Sequence, residues 1–134
     1  MEKVTGFGHF AINVKNWEKT LWFYGNLLKL PLSEPVDMGD FNLVYAIVPG
    51  GGKIELFQNR LPLEDRSQKD EHTFGFRHFA FIVSDLTSLR EELVASGIKI
   101  TLDITSLPKL GCQVLLCEDP NGVIIEFARH LNKS

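Results

Sequence analysis

The sequence predicts an α+β fold made of two similar modules, each with a strand, a helix and three further strands. Two observations predict it. The chain repeats itself with a period near 70 residues, and each half passes from the alternating pattern of a strand to the spacing of a helix and back. The 134 residues, 44% of them hydrophobic, are enough to bury a core. We therefore expect one domain over residues 1–134.

The repeat is visible at both ends of each half. FGHFAINV at 7–14 matches FRHFAFIV at 76–83, and VPGGGKIELF at 48–57 matches DPNGVIIEFA at 119–128. Superposing the halves aligns two histidines, two prolines, two glycines and two glutamates with offsets of 69 and 71 residues: His9 with His78, Pro49 with Pro120, Gly51 with Gly122, and Glu55 with Glu126. Four coincident positions indicate an internal duplication.

Each half contains one predicted helix. Asn16 can cap a helix over residues 17–29 that Pro31 stops, and Asp85 can cap a second over residues 86–96 that ends at Gly97. The apolar stripes that predict them are Trp17, Leu21, Tyr24, Leu27 and Leu28 in the first, and Leu86, Leu89 and Leu93 in the second.

The remaining strands form a hairpin at the end of each half. FNLVYAIV and KIELFQ are joined by PGGG, and CQVLLCED and VIIEFARH are joined around PNG. Polar sequence without periodicity separates the halves. We therefore place module 1 at about residues 5–59, a linker at about 60–75 and module 2 at about 76–130.

Charge and composition exclude several classes of protein. A formal charge of -3 and a pI near 5.8, with scattered Lys and Arg, make nucleic acid an unexpected partner. No apolar stretch approaches the roughly 18 residues of a spanning helix, and we expect no membrane partner and a cytoplasmic protein. Cys112 and Cys117 fall on opposite faces of one strand and are expected to be buried, reduced thiols.

Two histidines and two glutamates are the candidate metal ligands. Alternation places His9, Glu55, His78 and Glu126 on largely apolar strand faces, where an isolated carboxylate would be costly. One divalent metal ion shared by two imidazoles and two carboxylates would satisfy all four, and this set suits Zn, Ni, Co, Mn or Fe. A lone strand His is more often a hydrogen-bonded core residue, but the repeat favours ligands. His72 and His130 have no counterparts and are expected at the surface.

These motifs resemble the vicinal oxygen chelate superfamily over nearly the whole chain. The resemblance implies two βαβββ modules whose curled mixed sheets surround a metal site. Glyoxalase I, or lactoylglutathione lyase, takes one His and one Glu from each module, which corresponds here to His9, Glu55, His78 and Glu126. Extradiol dioxygenases and fosfomycin resistance proteins generally use His, His and Glu, and methylmalonyl-CoA epimerase commonly has Gln where Glu55 stands. Glu55 therefore favours a glyoxalase-like enzyme.

The resemblance also implies the chemistry, a metal-assisted proton transfer next to the carbonyl of a small-molecule substrate. Glu126 would be the base, and Glu55 a ligand and second acid or base. Arg60 and Arg66 are the positional candidates for binding the carboxylates of glutathione. A homodimer is expected, and the resemblance implies that the ligand set is completed either within one chain or by the neighbouring subunit. The alternatives are a ring-cleaving dioxygenase, an epimerase, or a non-catalytic protein that binds a small molecule or antibiotic.

Overall fold

A computed structural model describes residues 3–64 and 74–131 and divides the chain into two compact units, with the boundary between residues 65 and 66. Each unit holds one predicted set of strand, helix and three strands, as expected. The first contains β1 (His9–Asn13), α1 (Trp17–Leu21) followed by a π-helical turn (Trp22–Leu27), β2 (Val36–Asp37), β3 (Phe41–Ile47) and β4 (Lys53–Asn59). The second contains β5 (Phe79–Ile82), α2 (Leu86–Ala95), β6 (Ile100–Leu107), a 3-10 turn (Pro108–Leu110), β7 (Cys112–Glu118) and β8 (Ile124–His130).

The two sheets have the same topology. Their strand orders are β1-β4-β3-β2 and β5-β8-β7-β6. In each, the first strand of the unit runs parallel to the last, and the other pairs are antiparallel, so both sheets are mixed. The predicted hairpins are confirmed. Three glycines with positive φ, at positions 50, 51 and 52, form the first turn, and Gly122 with φ 83° lies in the second.

The first helix differs from the prediction. Asn16 caps it as expected, its Oδ1 accepting from the backbone N–H of Lys19 at 3.0 Å. From Trp22 the helix widens into a π-helical turn, in which the N–H of Leu28 donates to the carbonyl of Phe23 at 3.0 Å. The predicted apolar stripe is therefore partly wrong. Tyr24 and Leu27 are buried, whereas Trp17, Leu21 and Leu28 are only half-buried; the stripe omitted the buried Thr20 and Phe23.

One face of each sheet contributes buried residues to the core. In the first unit, five buried strand residues lie on the face opposite the candidate site: Ile12, Val44, Ala46, Ile54 and Leu56. In the second unit α2 packs against β6, β7 and β8, and it contributes Leu86 and Leu93. The sheet residues on the corresponding buried face are Leu115, Cys117, Ile125 and Phe127. Strand alternation therefore fixes which residues remain for a site on the opposite face.

Both cysteines are buried and free, as predicted. Burial is the main cause that raises the pKa of the Cys117 thiol to about 12, and the charges of Asp119 and Glu118 raise it further. A thiol that stays protonated near neutral pH is a poor nucleophile. Cys117 is therefore a core residue and not a catalytic one.

An ion pair ties α2 to the irregular part of β6. Arg90 donates from Nε to Asp103 Oδ1 at 2.7 Å and from Nη2 to Oδ2 at 2.8 Å. The hydrogen bond from Arg90, followed by the one from the backbone N–H of Ile104, lowers the pKa of Asp103 from its usual 3.8 to about 2. The register of β6 against β7 shifts on both sides of Leu102, so Asp103 lies in a bulged segment that this bridge holds to the helix.

We expect the Asp103 carboxyl to titrate with a midpoint near pH 2 in an NMR experiment that follows its side-chain carbon. Because the folded pKa is lowered, the stability that the pair contributes is present above the unfolded value and is lost as the pH falls through about 2. Arg90→Gln should move the midpoint up toward 3.8, whereas Lys109→Gln, which makes the same charge change on the 3-10 turn, should not. An unchanged midpoint in Arg90→Gln would contradict this assignment.

In the described part of the chain, no helix is long and apolar enough to cross a membrane.

Candidate metal centre

The first candidate pair, His9 and Glu55, is formed by two neighbouring parallel strands. His9 lies opposite Lys53, and Ala11 lies opposite Glu55, so that His9 and Glu55 are diagonal neighbours on one face of the sheet. His9 Nε2 is 3.3 Å from Glu55 Oε1. The Glu55 side chain is only 14% exposed, so its carboxylate needs a cation or a hydrogen-bond donor.

The second pair, His78 and Glu126, repeats this geometry. His78 immediately precedes β5, in which Ala80 lies opposite Glu126, and the two strands are again parallel. His78 Nε2 is 3.0 Å from Glu126 Oε1, and the Glu126 side chain is 22% exposed. In each unit, the strand register therefore places the His and the Glu as neighbours on one face of the sheet.

The structure brings each histidine together with the glutamate of its own unit. Within either unit, the described residues contain no cluster of three or more His, Cys, Asp and Glu side chains that could hold a metal. Each unit thus supplies two donors, one imidazole nitrogen and one carboxylate oxygen. That both pairs bind the same ion stays a prediction.

The spacing within each pair matches that of two ligands on one metal ion. Metal–nitrogen and metal–oxygen bonds of about 2.0–2.2 Å place neighbouring donor atoms about 2.9 Å apart in octahedral geometry and about 3.4 Å apart in tetrahedral geometry. The observed separations of 3.0 and 3.3 Å fall in this range. A hydrogen bond from imidazole to carboxylate gives a similar distance, and the donor types alone suit Zn, Ni, Co, Mn or Fe. The residues present therefore fit two half-sites for a divalent ion.

The two glutamates lie in different surroundings. Glu126 lies opposite Leu116 and shares its face with Ile124 and Ala128, and these three belong to a buried apolar cluster that also includes Cys112, Val114 and Leu107. Glu55 lies opposite Tyr45 and shares its face with Lys53 and Phe57. The face around Glu126 is thus apolar, and the face around Glu55 carries a cation and aromatic rings.

Sequence reasoning missed the part of this face contributed by β3. The register of the β3–β4 hairpin places Tyr45 opposite Glu55. In the sequence, only the length of the PGGG turn could have indicated this register. Lys53 lies two residues before Glu55 on β4 and therefore on the same face of the sheet. Its ammonium Nζ lies 4.2 Å from the centroid of the Tyr45 ring.

Arg60, the arginine candidate that the structure describes, makes hydrogen bonds within the first unit. Its guanidinium donates to Asp37 Oδ1 at 2.9 Å, to Asn42 Oδ1 at 3.0 Å and to the carbonyl of Gly39. These bonds brace the β2–β3 hairpin through Nε and Nη2, and binding of a substrate carboxylate by Arg60 stays a prediction. Arg66 and His72 lie outside the described residues, and His130 is exposed, as predicted.

Comparison with known proteins gives the same fold. The chain is 27% identical over 128 residues to the mitochondrial methylmalonyl-CoA epimerase of Dictyostelium discoideum, which covers 89% of this chain and 75% of that protein. A glyoxalase family protein from Bacillus cereus superposes with a TM-score of 0.81 at 16% identity, over 98% of this chain and 97% of that one. A glyoxalase I mutant from Zea mays superposes with a TM-score of 0.74 at 22% identity, over 92% of this chain and 44% of the maize chain.

The family model matches most of the chain. Residues 6–127 match the Glyoxalase/Bleomycin resistance protein/Dioxygenase superfamily, and this range includes both His–Glu pairs. Two of the relatives named above are called enzymes, an epimerase and glyoxalase I. The chain belongs to the glyoxalase/bleomycin resistance protein/dioxygenase superfamily.

Proposed function

We propose that this protein is a metal-dependent enzyme that moves a proton on the carbon next to the carbonyl of a small α-oxygenated substrate, as in a glyoxalase I-like lyase or isomerase. The observation that carries the proposal is the repeated His–Glu pair, with the same strand register and similar spacing in both units. A thiol hemithioacetal of methylglyoxal is the first substrate to test. The functional protein is proposed to be a homodimer.

Four side chains would hold the ion: His9, Glu55, His78 and Glu126. When bound, a divalent ion supplies a Lewis acid that polarises adjacent substrate oxygens and makes the neighbouring C–H more acidic. His9 and His78 act as neutral nitrogen donors. In each pair the Nε2 atom lies beside one carboxylate oxygen, so both atoms would bind the ion as neighbouring ligands.

Glu126 is the proposed base. Its Oε1 faces His78, so proton transfer falls to Oε2, on a face lined by Leu116, Ile124 and Ala128. Such apolar surroundings exclude water and so keep the abstracted proton from exchanging with solvent. Glu126 would return that proton to the neighbouring oxygen-bearing carbon, and Glu55 would serve as ligand and second acid or base.

The first test is metal content, measured by elemental mass spectrometry on untagged protein. We expect a near-stoichiometric divalent metal in the wild type and a loss in His78→Ala and Glu55→Gln, because removing a ligand should weaken binding at least tenfold, about the effect of removing an outer-shell partner. His130→Ala is the matched control, since His130 is exposed at the end of β8. A metal-free wild type, even after metal is added back, would reject the proposal and favour a non-catalytic binding protein.

An epimerase is the second candidate, because the match to the Dictyostelium enzyme extends over 89% of this chain. In that reaction the proton leaves and returns to the same carbon from opposite sides, so two bases are required, and Glu126 and Glu55 would share the task. Methylglyoxal with a thiol tests the first candidate. The second candidate would be supported if deuterium exchanges into C2 of methylmalonyl-CoA and no lactoyl thioester forms from methylglyoxal and a thiol. Oxygen uptake with a catechol would support a dioxygenase.

A further inference from the structure

The face of the first unit that carries His9 and Glu55 also presents a cation, Lys53, which forms no ion pair with any residue that the structure describes. Lys53 lies directly opposite His9 in the parallel register and two residues before Glu55 on the same strand. Glu55 is paired with His9 instead. The Lys53 ammonium instead lies over the ring of Tyr45.

Tyr45 holds this cation in place. The Lys53 ammonium lies 4.2 Å from the ring centroid, within the range of a cation–π interaction. Tyr45 is itself anchored, because its backbone N–H donates to Ser33 Oγ at 2.8 Å and its carbonyl accepts from the N–H of Ser33 at 2.9 Å. A lysine side chain is normally flexible, so a fixed ring that orients it reduces the entropy lost when an anion binds.

The repeat shows that this feature belongs to one unit only. The positions that correspond to Lys53 and Tyr45 in the second unit are Ile124 and Leu116, both buried. The halves therefore share the His–Glu pairs and differ in the residues beside them. The cation therefore lies beside the His–Glu pair of the first unit, and a cation on that face favours an anionic ligand there.

We propose that Lys53, oriented by Tyr45, binds an anionic group of the substrate, most simply a carboxylate, beside the reacting carbon. The inference rests on the proposed function and narrows its substrate class to carbonyl or acyl compounds that carry a negative charge. Arg60, in contrast, donates to Asp37 and Asn42.

The probe is malonate, titrated into the purified protein and into protein dialysed free of metal, with binding followed by NMR chemical shifts. We expect Lys53→Gln to raise the Kd for malonate about tenfold in both preparations, the effect of losing one charge-assisted hydrogen bond. Lys19→Gln is the matched control, because it makes the same charge change on α1, away from the site face. Tyr45→Leu should weaken binding less than Lys53→Gln, and Tyr45→Phe, which keeps the ring, should restore it.

Equal malonate affinity in wild type and Lys53→Gln, or no detectable binding to wild type, would overturn this assignment. Because the metal-free preparation is measured as well, the result is independent of the metal proposal. Lysine-dependent malonate binding in a protein that never takes up metal would support the anion site while rejecting the proposed enzyme. A protein that binds a full complement of metal but has equal malonate affinity in wild type and Lys53→Gln would reject the anion site while supporting the proposed metal site.

Discussion

Glu126→Gln should lower kcat by about 10²–10⁴-fold, the usual contribution of a general base. Gln has nearly the same shape and keeps an oxygen that can face His78, so the fold should be unaffected. Of the two glutamates, Glu126 is the one whose carboxylate is surrounded by buried apolar residues, and the proton transfer is assigned to it for this reason. The measurement is steady-state turnover of the methylglyoxal hemithioacetal, or deuterium exchange at the substrate carbon.

Metal content must be measured on the same samples, because Glu126 is proposed as both base and ligand. A rate loss with metal retained supports the base, whereas a rate loss that follows metal loss shows only a ligand. Glu92→Gln, the same change on the exposed side of α2, should turn over like the wild type. If Glu55→Gln reduces kcat more than Glu126→Gln, the roles of the two carboxylates are reversed.

Phe127→Ala should reduce the free energy of unfolding by about 3–5 kcal/mol. Phe127 is 1% exposed on the core face of β8, and its ring stacks on that of Phe81 with a centroid distance of 5.7 Å. Removing it leaves a cavity that the sheet and α2 can only partly fill. Urea denaturation followed by circular dichroism measures the loss.

The matched control is Phe7→Ala, because Phe7 is 73% exposed. Removing the Phe7 ring should reduce the free energy of unfolding by less than about 1 kcal/mol, as is usual for exposed positions. A loss of similar size in both variants would show that burial does not decide the stability contribution of these phenylalanines, and that the core face of β8 has been assigned wrongly.

The strands and the His–Glu pairs could be predicted because their signals are local and repeated. Alternation along HFAINV and HFAFIV determines which side chains share a face, and the duplicated His and Glu exclude a chance match. The hairpin turns were equally clear, since glycines with positive φ follow Pro49. The strand and turn signals depend on neighbours a few residues apart, whereas the contact of each His with the Glu of its unit depends on the pairing of the first and last strands.

The π-helical turn and the Lys53 subsite could not be predicted in the same way. The spacing of apolar residues looks similar for α- and π-helices. This turn is distinguished by a tertiary contact, because a Cβ on Gly25 would lie 2.8 Å from Leu32, a residue that pairs with Ala46 of β3. Tyr45 reaches Lys53 only through the register of β3 against β4. Likewise, whether both His–Glu pairs bind one ion depends on contacts between distant parts of the chain, which no local pattern records.

The strict alternation along β8 has a consequence for how this chain can evolve. Glu126 and Phe127 are neighbours, yet one belongs to the candidate site and the other to the core. Deleting or inserting a single residue upstream in β8 would exchange the two, placing a carboxylate in the core and a phenyl ring on the site face. Changes in length should therefore accumulate in turns such as residues 50–52, while the strands vary by substitution alone.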